Sequence, residues 1–335
     1  MPSFRREIFR SPEATLLPMS PMPPSVDLPA PHAGRRPAAA LESPACPGCA
    51  PGQPEDAPNA PPRRILVEGG GFAPFAVCRC SACGLAYLSP RLTEEAMRAV
   101  YQQDDYFEAA SGAAGASVGY GHYAAQAQAL RLTFRRFLRA LQADGLTGGD
   151  LLEVGCGPGL LLDEARPHFV RREGCEFSPA AARTARTVAD AVHAGGAEAI
   201  PAGARYDCII ATQVVEHVYD PRAFVQALVS HLRPGGVLVL ATPDHGSLWQ
   251  RVMGRRWPSY KLPEHVLYFD AATLGRLMRE CGVGPLRTVP YPHAFPLSLV
   301  ASKLGVRWTG RGADRSLWIP GTTLALAGRC GVHNE

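Results

Sequence analysis

The sequence is nearly without lysine. Two of its 34 basic residues, Lys261 and Lys303, are lysines, and the arginines are spread along the chain. A net charge of +4 with no massed basic tract gives no electrostatic footprint for a nucleic-acid partner. No apolar run approaches the roughly 18 residues of a membrane-spanning helix, so no membrane span is expected. Arg5, Arg6 and Arg10 lie near the start, but the apolar stretch of a secretory signal does not follow them. A cytoplasmic location is therefore the expectation. The ten cysteines do not form the framework of a small disulfide-stapled domain. Cys156, Cys175, Cys208, Cys281 and Cys330 are scattered and read as small buried hydrophobes. The other five crowd between residues 46 and 83 and suggest a metal.

The chain divides by composition. Sixteen of the 32 prolines fall in residues 1–62, and residues 1–45 are expected to be a disordered tail that cannot bury enough surface to offset its ordering entropy. Residues 46–90 read as a zinc-ribbon-like module. Cys46-Pro-Gly-Cys49 and Cys80-Ser-Ala-Cys83 each aim two thiolates at one point, and two such turns supply the tetrahedral set zinc prefers. Four thiolates leave no open position, so the zinc would be structural. The two turns are further apart than is usual, with the excess in the proline-rich stretch 50–62. Cys78 is close enough to compete with Cys80, and free thiols are the alternative. Between the turns, ILVEGGGFAPFAVC (65–78) predicts a hairpin around a glycine triplet. Residues 91–145 read as a helical linker or lid. One helix over 93–101 is capped by Thr93, with Met97, Val100 and Tyr101 apolar. A longer one over 123–143 repeats Leu130, Phe134, Phe137, Leu138 and Leu141, with arginines opposite.

From 146 to 330 strands and helices alternate. Apolar strands are predicted at 151–154, 173–176, 190–193, 206–211 and 236–242. Ser178-Pro179, Asp220-Pro221 and Asp270 open helices. Arg233-Pro234-Gly235-Gly236 and Gly282 close two of them. Repeated βα units predict an α/β fold with a doubly wound, mostly parallel sheet, whose ligands gather at the carboxyl ends of its strands.

The first strand runs into LLEVGCGPGL (151–160). A dinucleotide turn would want its third glycine one residue beyond Gly159, and position 160 is Leu. Glu176 ends the next strand, where it could accept hydrogen bonds from ribose hydroxyls. Glu153 precedes the turn. A carboxylate there would repel a pyrophosphate and attract a cation. The turn therefore suits a positively charged adenosine cofactor.

These residues resemble the first motif of the class I S-adenosylmethionine (SAM) dependent methyltransferases. GCEFSPAAARTA (174–185) resembles the second, YDCIIATQVVEHVYDP (206–221) the fourth-strand region, and LRPGGVLVLATPD (232–244) the fifth. LPEHVLYFDAATLGRLMRECG (262–282) resembles the stretch before the sixth strand in the ubiquinone-type O-methyltransferase branch. The cysteine module with GLAYLSPR (84–91) resembles a zinc-ribbon attachment of some bacterial members. The resemblance covers about residues 150–330. It implies a seven-stranded Rossmann-like sheet with an antiparallel last strand near TTLALAG (322–328), which leaves 290–320 as a long loop.

The resemblance also implies a site. SAM would be held by Glu153, Gly155, Cys156, Gly157 and Gly159 of the turn, and by Glu176 and Phe177. Backbone groups at Ala197 and Glu198 and the fourth-strand end, Thr212 and Gln213, would complete it. Structural zinc would sit on Cys46, Cys49, Cys80 and Cys83. A metal-binding subset has an acid where Gln213 stands, which argues against a catalytic metal. The methyl would go to a small-molecule acceptor, with His217 or His265 as general base and Glu216 orienting His217. A structural histidine is the alternative for each. Trp249, Trp257 and Tyr260 could wall the acceptor or anchor their loop. Three other readings stay open: an RNA methyltransferase gripping RNA through the ribbon, an NAD-dependent oxidoreductase, and a SAM-binding protein without turnover. The sequence does not set the oligomeric state.

Overall fold

The computed structural model describes residues 41–49, 64–101, 121–303 and 315–331. The expected disordered tail lies outside these residues up to position 40, as do the proline-rich stretch 50–63 and residues 102–120 of the helical linker. The side chains of Val100 and Tyr101 are outside them too.

The chain enters through a small antiparallel unit. β1 (Leu41–Glu42) pairs with β5 (Arg91–Leu92). β2 (Arg64–Glu68), β3 (Ala76–Arg79) and β4 (Ala86–Leu88) form an antiparallel meander. The first two make the hairpin predicted over 65–78, turning through Gly70–Phe72. Helix α1 (Glu94–Tyr101) starts at Thr93, whose hydroxyl accepts from Ala96 N at 3.2 Å. Helix α2 (Gly121–Ala143) follows.

Seven strands make the central sheet: β6 (Asp150–Val154), β7 (Arg171–Glu176), β8 (Ala191–Ala194), β9 (Tyr206–Thr212), β10 (Leu232–Pro243), β12 (Val283–Thr288) and β15 (Thr323–Cys330). Their order is β12-β15-β10-β9-β6-β7-β8. β15 runs antiparallel to β10 and β12, and the β10–β9–β6–β7–β8 pairings are parallel. This is the doubly wound sheet with an antiparallel last strand that the sequence predicted. Helices α3 (Leu160–Glu164), α4 (Pro179–Ala185), α5 (Pro221–Ser230), α6 (Leu248–Met253) and α7 (Ala271–Glu280) connect its strands. The caps are those expected. Ser178 Oγ accepts from Ala181 N, Asp220 Oδ1 from Ala223 N, and Asp270 makes a reciprocal box with Thr273.

Period-two alternation in the strands makes two cores. Leu151, Ile210, Val239 and Ala325 face Phe134, Phe137, Leu138 and Leu141 of α2. Leu152, Ile209, Leu238 and Leu326 face Val225 and Leu228 of α5 and Leu274, Leu277 and Met278 of α7. Each fully buried apolar side chain contributes about 1.5–3 kcal/mol. The arginines on the other face of α2 also have a place. Arg131 reaches Asp163 and Glu164 at 2.7 and 2.8 Å, and Arg135 reaches Glu164, which ties α2 to α3.

Two features depart from expectation. β11 (Leu267–Tyr268) adds to the small sheet by pairing with β4, and Val77, Tyr87 and Leu88 share the core of α5 and α7. A strand of two residues carries too little pattern to be read in advance. The expected long loop 290–320 is largely structured in its described part. β13 (His293–Pro296) pairs with β14 (Ser316–Ile319), with α8 (Leu297–Lys303) between. Pro292 and Pro296 had masked it, since proline is tolerated only at strand ends and edges.

Candidate active site

The turn after β6 needs glycine because its backbone is left-handed: φ is +74° at Gly155, +53° at Gly157 and +83° at Gly159. Gly159 caps α3, and a Cβ there would lie 2.8 Å from Val188 Cγ2. The helix therefore begins at Leu160, directly after the third glycine. Glu176, at the end of β7, closes the turn. Its Oε2 accepts from Gly157 N at 2.8 Å and its Oε1 from Ser178 N at 2.7 Å. Phe177 beside it is 65% exposed, an unusual setting for an aromatic ring. A Cβ on Gly196 would come within 2.9 Å of that ring. Gly196 N in turn donates to Glu198 Oε1 at 2.9 Å, at the start of the turn Ala197–Ala199. Glu176, Phe177, Ala197 and Glu198 thus stand together beyond β7 and β8.

Glu153 and Cys156 face inward. Glu153 is buried within β6, and its Oε2 has no hydrogen-bond partner among the described residues. Burial, then the neighbouring Glu176, holds its carboxyl well above the usual range. The attraction to a cation needs Glu153 ionised, and burial opposes that. Cys156 packs under the turn, where a Cβ on Gly174 would meet its Sγ at 2.6 Å.

The end of β9 carries the second group. Thr212 is buried and pairs with Ala241 in register. Gln213 has φ +57°, the one positive value at a non-glycine among the described residues. Such a conformation costs on the order of 1–3 kcal/mol and persists where the surroundings enforce it. Its N donates to Ala241 O at 2.7 Å, while its Nε2 is buried without a partner among the described residues. Glu216 is buried as well. Its Oε2 accepts from Thr242 Oγ1 at 3.0 Å, and its Oε1 has no partner among the described residues. Burial raises Glu216 to about 7, against the pull of its hydrogen bonds. His217 Nδ1 donates to Glu264 O at 3.0 Å, and His265 Nδ1 to Ser259 O at 2.9 Å. The two rings meet edge-on with centroids 4.7 Å apart. Burial, then Lys261, lowers His217 to about 4. Burial, then His217, holds His265 well below its ordinary value. Both are neutral at pH 7. The ligand-type atoms of Glu216, His217 and His265 lie within 4.8 Å of one another. They are thus brought close enough to share a cation, with an amide at 213 in place of a further charge.

Beyond β10 the aromatics gather. Trp257 is buried and packs edge-on against Tyr260 at 5.2 Å, and Tyr260 against Tyr268 at 5.2 Å. Trp249 stands apart, 41% exposed, with Nε1 donating to Pro320 O at 2.8 Å. Sequence reasoning missed two residues here. Thr242 bonds Glu216, and His245 sits among Trp257, Tyr260 and Tyr268. The available signal was their position around Pro243, at the carboxyl end of a parallel strand.

The four cysteines converge. Cys46 Sγ and Cys83 Sγ are 3.5 Å apart, Cys49 Sγ and Cys80 Sγ 3.6 Å, and all four lie within 4.8 Å of one another. Tetrahedral zinc at about 2.3 Å from each sulfur would set them about 3.8 Å apart. Cys78 is outside this group, its thiol turned to Ser89 O.

Residues 122–284 match a family described as a methyltransferase domain. A ubiquinone biosynthesis O-methyltransferase of Cereibacter sphaeroides is 30% identical over 211 residues, 56% of this chain and 82% of that protein. A probable SAM-dependent methyltransferase of Mycolicibacterium smegmatis is 33% identical over 162 residues, 47% of this chain and 61% of that one. Among solved structures, a SAM-dependent methyltransferase from Thermotoga maritima, described as a possible histamine N-methyltransferase, aligns with 18% identity and TM-score 0.46 over 62% of this chain and 94% of its own. With the glycine turn, the acid after it and the strand order already in place, the relatives settle the family. The chain belongs to the class I SAM-dependent methyltransferases.

Proposed function

We propose that this methyltransferase delivers its methyl to a hydroxyl of a small molecule of the quinone-like, sugar or glycan type. The observation that carries the reading is the 30% identity with a protein named as a ubiquinone biosynthesis O-methyltransferase, across 82% of that protein's length. SAM supplies, when bound, an electrophilic methyl on a sulfonium. The glycine turn 155–159, Glu176, Phe177 and the backbone at Ala197 and Glu198 would hold its adenosine. Thr212 and Gln213 would face the rest. The unpartnered atoms Glu153 Oε2, Gln213 Nε2 and Glu216 Oε1 fit a polar ligand at this edge, because buried polar atoms without a partner cost free energy until a ligand or water satisfies them.

The chain's own task in transfer is alignment and removal of the hydroxyl proton. Glu216, raised to about 7, is matched to take that proton near neutral pH. His217, lowered to about 4, is the weaker base and serves as a neutral ring beside the acid. Cys46, Cys49, Cys80 and Cys83 would hold a structural zinc. RNA binding through the ribbon is the less favoured reading. Arg79, one of the few basic residues there, is committed to Gly84 O and His245.

Calorimetry should show binding of SAM and none of NAD. Gly157→Arg should weaken SAM by at least about a hundred-fold, on the order of 3 kcal/mol. Methyl transfer from radiolabelled SAM should appear among hydroxylated metabolites and not on RNA. Folded protein that ignores SAM would end the reading. Atomic emission should find one zinc per chain, lost in Cys46→Ser/Cys80→Ser. A wild-type protein without zinc would remove the ribbon's metal.

A further inference from the structure

Arg79 lies between Cys78 and Cys80, so its backbone belongs to the cysteine module. Its side chain also reaches beyond it. Nη1 donates to Gly84 O at 2.9 Å and stands 3.9 Å from Asp270 Oδ2. Nη2 approaches His245 Nδ1 at 3.4 Å. A guanidinium has donors only, so His245 Nδ1 is the lone-pair nitrogen of this contact. His245 is 4% exposed. Burial, then the charge of Arg79, lowers it to about 4, so the ring is neutral and its proton is on Nε2. That N–H points to Tyr260 Oη, 3.1 Å away. Gln250 Nε2 donates to the same oxygen at 3.2 Å. Two incoming donors occupy both lone pairs of Tyr260 Oη, and its own O–H is what remains to give.

The relay ends at the right place. His245 stands two residues beyond Pro243, where β10 ends, and Thr242 already reaches Glu216. Tyr260 is only half-buried, while Trp257 and Tyr268 hold its ring from two sides. Phe72 of the cysteine module touches it edge-on at 5.7 Å. Arg255 fastens the other end of the insertion by donating to Glu68 O and Gly69 O at 2.7 and 3.1 Å.

We infer that Arg79 is a positioning residue for the methyl acceptor: from the cysteine module it fixes the tautomer of His245, which leaves Tyr260 as a hydrogen-bond donor toward a lone-pair atom of the acceptor. The inference rests on the methyltransferase acting at this edge. It gives the cysteine module a role in building the acceptor side of the site, in place of a separate nucleic-acid grip.

The test reads the tautomer directly. Full-length, metal-loaded protein labelled with 15N-histidine is saturated with S-adenosylhomocysteine, and His245 is assigned in long-range 1H–15N spectra by loss of its signal in His245→Gln. The expected pattern is a neutral Nε2–H ring from pH 6 to 8. It should persist in Tyr260→Phe and in Arg79→Lys, which keeps a donor. It should become mixed or reversed in Arg79→Met. SAM affinity, measured by calorimetry, should stay within about two-fold across the series, far below the ten-fold that 1.4 kcal/mol represents. An Nδ1–H ring in wild type overturns the inference, whether or not Arg79→Met folds. So does an unchanged tautomer in Arg79→Met, or a tautomer lost in Tyr260→Phe. Failure of wild type to bind SAM overturns the methyltransferase reading instead, and the tautomer result stands apart from it.

Discussion

The two ends of the central sheet both bury acids, and they treat them in opposite ways. At the amino end Glu173 of β7 is buried and fully engaged. Tyr206 Oη donates to its Oε2 at 2.8 Å, His193 Nε2 lies 3.0 Å from the same oxygen, and Arg171 reaches its Oε1 at 2.5 Å. Nearby, Arg233 bridges Asp150 and Asp207, and Asp150 N donates to Asp207 Oδ2 at 2.7 Å. At the carboxyl end Glu153, Gln213 and Glu216 each keep a buried polar atom without a partner among the described residues, and Gln213 adds a strained backbone. The difference follows from use. An end that holds the strands together can pair its acids from within the chain, although Arg172 Nε there is also buried without a partner among the described residues. An end that receives ligands must leave donors and acceptors unspent, at a cost in stability.

Two substitutions test this contrast. Glu216→Gln should have the larger effect. The folded protein raises Glu216 from 4.5 to about 7, so its contribution to stability is full below pH 4.5 and is lost as pH rises through 7, by an amount on the order of 3 kcal/mol. His217 works the other way. Its lowered value, about 4 against 6.5, gives stability that is present above 6.5 and lost as pH falls through 4. The two slopes oppose each other between about pH 4.5 and 6.5. In Glu216→Gln the acid's slope is gone, and urea titrations should show stability falling steadily on acidification from pH 6.5. A variant whose stability follows pH as the wild type does would mean that Glu216 is not held protonated by burial.

At the opposite end, Tyr206→Phe removes a donor from Glu173 and should cost about 1–3 kcal/mol, since it leaves a buried carboxylate short of a partner. SAM affinity should not change. A loss of affinity in calorimetry would break the division between a supporting end and a binding end.

Much of this could be read from the residues because the signals are local. Ser178-Pro179, Asp220-Pro221 and Asp270 mark helix starts by the chemistry of their own side chains, and all three act as caps. Unbroken apolar runs within β9 and β10 announce strands covered on both faces. The two Cys-x-x-Cys turns bring their own geometry with them. What could not be read depends on partners far along the chain. Leu267 and Tyr268 form a strand only because β4 offers an edge. Trp257 and Tyr260 were seen as wall or anchor, and His245, which links them to Arg79, was not seen. The protonation of His217 and Glu216 could not be read either, because it is set by burial and neighbours that no short window contains.

By itself, then, the sequence determined the succession of strands, turns and capped helices, the left-handed glycines of the cofactor turn and the pairing of cysteines into two knuckles, because each follows from the conformational limits and hydrogen-bonding reach of adjacent residues. Only the tertiary structure decided which acids are buried and unpaired, which groups the histidines face, and that the cysteine module packs against the insertion after β10. Those depend on how far water is excluded and on which distant group stands within 3 or so ångströms, the range over which a hydrogen bond acts.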